Sequence, residues 1–194
     1  MVTNYQINNQ YLDFKDLEDY LELIAEIVLK PSRYLLNKLN SLHSNNDEKY
    51  QKNHEILINE YVELKNKFDN DKINLYQDLD LLAISLKENE LFYDEYFDFC
   101  EIKDMIKDTF DRDLSSINND DFEFILELVT DFSEIISYKY RLIENNDFDE
   151  TIFESKYNEY LTNFNKSKSY YYENICDESI DDELFKEYSR IIME

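Results

Sequence analysis

The side chains that most often do chemistry in proteins are scarce in this chain, which has two histidines, His43 and His54. A carboxylate-bridged di-iron bundle needs the motif Glu-x-x-His twice. Here Asn40 and Gln51 stand three residues before the two histidines. Zinc needs a cluster of Cys and His ligands, and no such cluster occurs in the sequence. We therefore expect no metal ion.

The two cysteines, Cys100 and Cys176, are far apart and form no Cys-x-x-Cys pair. Small buried thiols of this kind are typical of proteins from a reducing compartment. We expect both to be structural, with a disulfide or a catalytic thiol as the alternatives.

Two short acidic motifs resemble the opening of a calcium-binding loop, Asp69-x-Asp71 and Asp147-x-Asp149. Both lack the glycine at position 6 and the correctly placed glutamate at position 12. We expect these residues to cap helices instead.

The absence of glycine excludes several further kinds of site, since the chain has no Gly and one Pro, Pro31. Phosphate-binding loops and dinucleotide folds need glycine for positive φ angles and close backbone approach. The strained turn of a nucleophile elbow depends on it as well. No local motif supports a Ser-His-Asp or Cys-His site, so we expect no cofactor and no enzymatic activity.

The elements that position the remaining side chains are helices, because apolar residues recur every three or four positions. The pattern predicts an all-α fold, a single compact bundle of about seven to eight helices with no β-sheet. Pro31 is expected to separate the first two helices, and Asn70-Asp71 the third from the fourth. The predicted helices lie near 13–29, 31–42, 48–68, 75–86, 89–113, 122–143, 153–164 and 180–191.

The acidic residues are concentrated in one part of the chain, whose formal charge is −25. Residues 1–68 carry a net −3, residues 69–134 a net −15 and residues 135–194 a net −7. We expect one helical domain over 1–194, with a possible division into a near-neutral part, 1–68, and an acidic part, 69–194. Such a charge asymmetry predicts a basic partner.

The helix expected at 89–113 has one acidic side. At 100° per residue, seven carboxylates fall within an arc of ~140°: Glu90, Asp94, Asp98, Glu101, Asp104, Asp108 and Asp111. With Glu95 and Asp113 they lie roughly 4 Å apart along the helix, near the ~3.4 Å per charge of one DNA strand. Tyr93, Phe97 and Met105 point into the same arc.

Two interpretations of this helix remain open. The acidic side is either a solvated face or a surface that binds a partner. Its aromatic residues either pack on a neighbouring helix or anchor that partner. For the second interpretation the binding residues are the seven carboxylates together with Tyr93 and Phe97.

The charge argues against direct nucleic-acid binding, because phosphates would be repelled. In size and charge the chain resembles phage-encoded anti-restriction and anti-CRISPR proteins that mimic DNA. That resemblance implies an inhibitor of a basic protein that handles nucleic acid: a nuclease, a CRISPR effector, a restriction enzyme or a toxin. The alternatives are an immunity protein or antitoxin, and a self-associating helical scaffold.

The location is expected to be cytoplasmic, in a bacterial or phage-infected cell. No apolar segment approaches the ~20 residues that span a membrane, and the first residues lack the pattern of a signal peptide. The oligomeric state is not predicted.

Overall fold

The computed structural model describes residues 14–42, 48–145 and 149–174, with the side chains of 48–51 and 150 left aside. Within these ranges the chain forms five helices and no strand, which confirms the all-α class. Helix α1 joins Phe14–Ile24 to Lys30–Leu42 through a π-helical turn, Ala25–Leu29. The others are α2 (Glu48–Glu88), α3 (Tyr93–Asp111, after a 3-10 turn Glu90–Phe92), α4 (Asn119–Glu144) and α5 (Glu150–Asn174).

The prediction of seven to eight helices is not matched, and Pro31 is the first reason. Pro31 does not separate two helices, because the backbone widens into the π-helical turn just before it. There the N–H of Lys30 donates to the carbonyl of Ala25, five residues back. A proline ring clashes with the carbonyl four residues earlier in a regular α-helix, and the wider turn accommodates it.

The second reason is that Asn70-Asp71 lies inside α2, which runs unbroken for 41 residues. The buried side chains of Phe68 and Leu75 are seven residues apart, so the apolar stripe stays in phase across the expected break. The phenol of Tyr20 in α1 also donates to the backbone carbonyl of Asp71 at 2.6 Å. Tertiary packing therefore overrides the weak local preference for a helix end. The helix expected at 180–191 lies outside the described residues.

Polar side chains cap the starts of two helices. Asn118 and Asp121 form a reciprocal cap at the start of α4: each carboxyl or amide oxygen accepts from the backbone N–H of the other residue, at 3.0 and 2.8 Å. Asp149 accepts from the N–H groups of Thr151 and Ile152 at the start of α5. Asp149 is therefore a capping residue, as expected, whereas Asp69 and Asp71 lie within a helix.

The chain forms two compact units, Met1–Arg141 and Leu142–Glu194. The expectation of a single domain stays a prediction. The first unit contains an aromatic core in which Phe14, Phe99 and Phe132 join three helices, with ring centroids 5.2 to 5.5 Å apart. In the second unit, α5 carries a row of rings spaced 5.6 to 5.8 Å apart, namely Phe153, Tyr157, Tyr160 and Phe164.

Phe132 allows a direct test of this core. The variant Phe132→Ala should lose about 3–5 kcal/mol of unfolding free energy, because its ring is fully buried between two other rings. The matched control Phe97→Ala removes an exposed ring of the same size and should change stability by less than about 0.5 kcal/mol. Urea unfolding followed by circular dichroism measures both, and equal losses would contradict the assignment of the core.

Candidate partner-binding surface

The seven carboxylates expected to form one acidic face lie on α3 and the turn before it, and we refer to them as the α3 row. Four are exposed and three are half-buried. The exposed members are Glu90, Asp94, Asp104 and Asp111, and the half-buried members are Asp98, Glu101 and Asp108. The side of α3 opposite the row is buried through Phe99, Ile102, Ile106 and Phe110.

Two side chains counted with the acidic arc lie in the interior instead. Met105 is fully buried, and Glu95 is only 1% exposed. At 100° per residue, Glu95 falls in the middle of the apolar side of α3. Met105 lies at the edge of the arc, where the neighbouring helices cover it. For Met105, burial agrees with the first of the two interpretations left open above, packing on a neighbouring helix. Glu95, which was counted only in the spacing of the carboxylates along the helix, is not part of the acidic surface.

An exposed group of rings stands among the carboxylates at the start of α3. Tyr93 and Phe97 are 49% and 53% exposed. Their rings pack edge to face at 5.4 Å, and Phe97 also contacts half-buried Tyr96 at 5.3 Å. Tyr93, Tyr96 and Phe97 form what we call the aromatic cluster. Exposing a large ring to water costs free energy in proportion to its apolar area. The cluster is therefore an apolar feature of an otherwise charged surface.

The last carboxylate of the α3 row has a structural role. Asp111 Oδ1 accepts from the phenol of Tyr76 at 3.0 Å and pairs with Lys72 Nζ at 3.2 Å, both on α2. In two further pairs the base is on α3 and the acid is on α2: Lys103 and Lys107 both pair with Asp80. The lysines thus lie along the α2–α3 contact. The other exposed carboxylates of the α3 row, Glu90, Asp94 and Asp104, have no described ion pair with a lysine of α2.

A second row of carboxylates, which the sequence reasoning missed, lies on α4. At 100° per residue its members occupy an arc of about 80° and extend over roughly 21 Å of helix. We refer to these five exposed side chains as the α4 row: Asp120, Glu123, Glu127, Asp131 and Glu134. No Lys or Arg occurs between Arg112 and Lys139. Placing the carboxylates at 100° per residue, as was done for α3, would have found this row from the sequence.

Helices α3 and α4 are antiparallel. Three contacts establish their register: Glu95–Lys139, Phe99–Phe132 and Arg112–Asp121. The middle of the α4 row therefore lies at the level of the middle of α3. Each row faces away from the buried side of its own helix.

Loss of hydration and neighbouring negative charges raise the pKa of two carboxyl groups in the rows. Loss of hydration raises the pKa of Asp131, and the charges of Glu127 and Glu134 raise it further. Loss of hydration likewise raises the pKa of Asp108, together with Asp104 and Asp111, although Arg112 acts in the other direction. Neighbouring carboxylates four residues apart destabilise a helix by a few tenths of a kcal/mol each, so these rows reduce the stability of the fold.

A buried ion pair holds the aromatic end of α3 against α4. Lys139 Nζ donates to Glu95 Oε1 at 2.5 Å, and the ring of Phe92 lies 5.3 Å from the ammonium group. The second oxygen, Oε2, is buried and has no hydrogen-bond partner within the described residues. The pair therefore resists separation, because either charge alone would remain in an apolar interior.

The described residues offer little for metal or thiol chemistry. They contain no group of three or more His, Cys, Asp and Glu arranged to hold a metal ion. Cys100 is half-buried beside Tyr96, and the hydrogen bond between them raises the pKa of the Tyr96 phenol. His43 and Cys176 lie outside the described ranges. No helix in the described part of the chain is both long and apolar enough to cross a membrane.

The buried pair of Glu95 and Lys139 predicts how the unfolding free energy changes when one or both residues are replaced. Lys139→Met should lose about 3–5 kcal/mol of unfolding free energy, because it leaves Glu95 charged and uncompensated. The double variant Glu95→Leu/Lys139→Met should recover most of that loss. Chemical unfolding of the two variants and the wild type tests this. A single variant as stable as the wild type would show that the pair is open to water.

The raised pKa of Asp131 predicts how stability depends on pH. A carboxyl whose folded pKa exceeds its unfolded value binds more protons in the folded state, so its ionisation destabilises the fold. Stability should therefore rise as the pH falls from 7 towards the ordinary aspartate value of 3.8. Asp131→Asn should reduce that rise. Titration of the Asp131 carboxyl by NMR gives the direct measurement, and a pKa at or below 3.8 would contradict the prediction.

Comparison with known proteins adds no constraint on this surface. No protein-family model, no curated protein and no solved structure matches the chain. The interpretation of the surface therefore depends on its geometry and charge.

Proposed function

We propose that this protein is an inhibitor that binds a basic, nucleic-acid-handling protein and occupies its nucleic-acid groove. The observation that carries the proposal is the aromatic cluster, which stands exposed among the carboxylates of the α3 row. Acidic side chains alone keep a protein in solution. Exposed rings within them provide the apolar contact that a specific interface needs.

Long-range attraction would bring the two proteins together. The α3 and α4 rows present carboxylates from two antiparallel helices, and no Lys or Arg occurs in the part of α4 that carries the α4 row. A groove that binds nucleic acid is basic because it must neutralise phosphates. Its field would attract both rows and accelerate encounter, and the attraction would weaken as salt is added.

Close contact would then involve the aromatic cluster. Tyr93 and Phe97 expose about half of their surface in the free protein, so burying them against a partner removes apolar area from water. Aromatic residues near the centre of an interface commonly dominate its binding energy. The surrounding carboxylates would contribute orientation and rate of association.

The α4 row extends the proposed surface beyond the seven residues selected from the sequence. Its five carboxylates lie about 5 Å apart along the helix axis, with no intervening base. A partner that grips nucleic acid along its backbone contacts several phosphates in succession. A row of regularly spaced carboxylates offers comparable contacts to the same basic side chains.

Capture from the cell that produces the protein tests the proposal. The tagged protein should retain a basic partner at low salt, and duplex DNA or RNA should release that partner. The purified partner should lose its nucleic-acid binding when the protein is added, in a competitive manner. A stable complex of all three components would contradict the proposal. A captured toxin that handles no nucleic acid would assign the immunity role instead.

Two charge-reversal variants and one ring truncation locate the surface. Glu90, Asp94 and Asp104 on α3 are changed to Lys in one variant, and Glu123, Glu127 and Glu134 on α4 in another. Each should weaken binding by about 100-fold or more at low salt, because closely paired charges at an interface contribute several kcal/mol. Phe97→Ala should weaken binding by about 30-fold while the fold persists.

The matched control changes three exposed carboxylates of α1 to Lys: Asp16, Asp19 and Glu22. It alters the net charge by the same amount and should reduce affinity far less. If the control loses as much affinity as the other two variants, binding depends on total charge alone and no defined surface exists.

A further inference from the structure

At one end of the first unit, α1 and α2 extend past the end of α3 and the start of α4. Arg33 of α1 donates to the Ile117 carbonyl at 2.9 Å and to Asn119 Oδ1 at 3.1 Å, in the connection between α3 and α4. Lys65 of α2 pairs with Asp113 at 3.8 Å, just after the end of α3. Residues 34–42 of α1 and 52–62 of α2 lie beyond these anchors, and we call them the hairpin tip. Nine residues of α1 correspond to about 13 Å of helix.

The apolar stripe of α2 is only partly covered in the tip. In the body of the unit, Phe68, Leu75 and Leu79 are buried, and Phe68 packs against Phe110 of α3 at 5.7 Å. Towards the tip the same stripe continues through Leu57, Tyr61 and Leu64, which are all half-buried. No described residue from 52 to 67 is buried. Tyr61 still contacts the α3–α4 connection through a side-chain hydrogen bond with Ser115. Beyond Tyr61, the tip lacks the cover that α3 gives to the body.

Further apolar side chains of the two helices are also exposed in the tip. Tyr34, Ile56, Ile58 and Val62 are between 40% and 59% exposed. A groove of about 370 Å³ runs between the two helices, and its apolar lining comes from Leu42, Ile56 and Leu57. Lys38, Ser41 and Asn53 form the polar part of the lining. Leu35 and Leu39 of α1 are buried in the tip, but the four side chains named above remain in contact with water.

The tip is also the part of the chain where a second copy meets least repulsion. Residues 34–42 contain Lys38 and no acidic residue, and residues 52–62 contain Lys52, Glu55 and Glu60. The formal charge of the tip is therefore zero. Elsewhere the chain carries its large excess of carboxylates, whose mutual repulsion would keep two acidic faces apart.

We propose that the hairpin tip is a homodimer interface, where the tips of two copies pack around a twofold axis into a four-helix bundle. The tip of the second copy then covers the stripe at Leu57, as α3 covers it at Phe68. A twofold contact uses the same patch on both copies, and it is the commonest symmetry of soluble oligomers. Four helices enclose a larger apolar core than two.

This dimer is independent of the proposed basic partner, and the two interactions respond differently to salt. The acidic rows lie outside the tip, so a dimer would present them twice and could bind a multivalent partner more tightly. Added salt should weaken partner binding. It should leave the dimer unchanged or strengthen it, because salt screens the repulsion between two chains of charge −25.

Sedimentation velocity over a range of protein concentrations tests the dimer. The wild type should sediment as a species of twice the chain mass of 23.7 kDa, and its dissociation constant should not rise between 0.05 and roughly 0.5 M salt. The double variant Ile56→Glu/Val62→Glu should be monomeric at concentrations where the wild type is a dimer. Both positions are exposed in the single chain, so circular dichroism should show unchanged helicity.

The matched control is Leu81→Glu, which introduces a charge at an exposed leucine on the same helix outside the tip. This variant should remain a dimer. A monomeric wild type at high micromolar concentration would overturn the proposal. So would a dimer that survives Ile56→Glu/Val62→Glu, or one that dissociates in salt and depends on the α3 or α4 row. Loss of the basic partner in the tip variant, with no change in oligomeric state, would make the tip a partner-binding surface instead.

Discussion

Repulsion among carboxylates is the constraint on which the arrangement of this protein depends. With a formal charge of −25, the chain cannot fold unless its acidic side chains remain hydrated and its few cations are well placed. The described ion pairs show how this is achieved. Lys72, Lys103 and Lys107 lie along the contact between α2 and α3, and Arg112 and Lys139 join α3 to α4. Since the cations serve at helix contacts, the outward faces of α3 and α4 are left strongly acidic.

The interior offsets this repulsion with aromatic area. The rings of Phe14, Phe99 and Phe132 connect three helices at one level. Each ring buries a large apolar surface, which suits helices that cannot approach closely through glycine. The same type of residue appears outside the core at Tyr93 and Phe97, whose side chains are about half exposed. This contrast between buried and exposed rings is the reason why we propose a contact surface there.

Much of the fold could be predicted from periodicity, and the errors have physical reasons. Every helix that the structure describes begins within a few residues of the start of a predicted helix. Pro31 was expected to divide a helix, but a local π-helical turn accommodates its ring. Asn70-Asp71 was expected to end one, but the stripe from Phe68 to Leu75 continues in phase and holds the backbone helical. At Asn70-Asp71, packing along a long helix outweighed a local preference of about 1 kcal/mol or less. At Pro31 the cost of proline in a regular helix is larger, about 3 kcal/mol, and the wider turn relieves it.

The sequence by itself determined the all-α class, the net charge and the positions of the carboxylates on α3, because composition and helical period set these directly. Only the tertiary structure decided which charged groups are buried. It placed Glu95 against Lys139 in the interior and tied Asp111 to α2. It also showed that the hairpin tip extends beyond α3. Such features depend on which helices meet and at what level, and a pattern read along one helix contains no information about its neighbours.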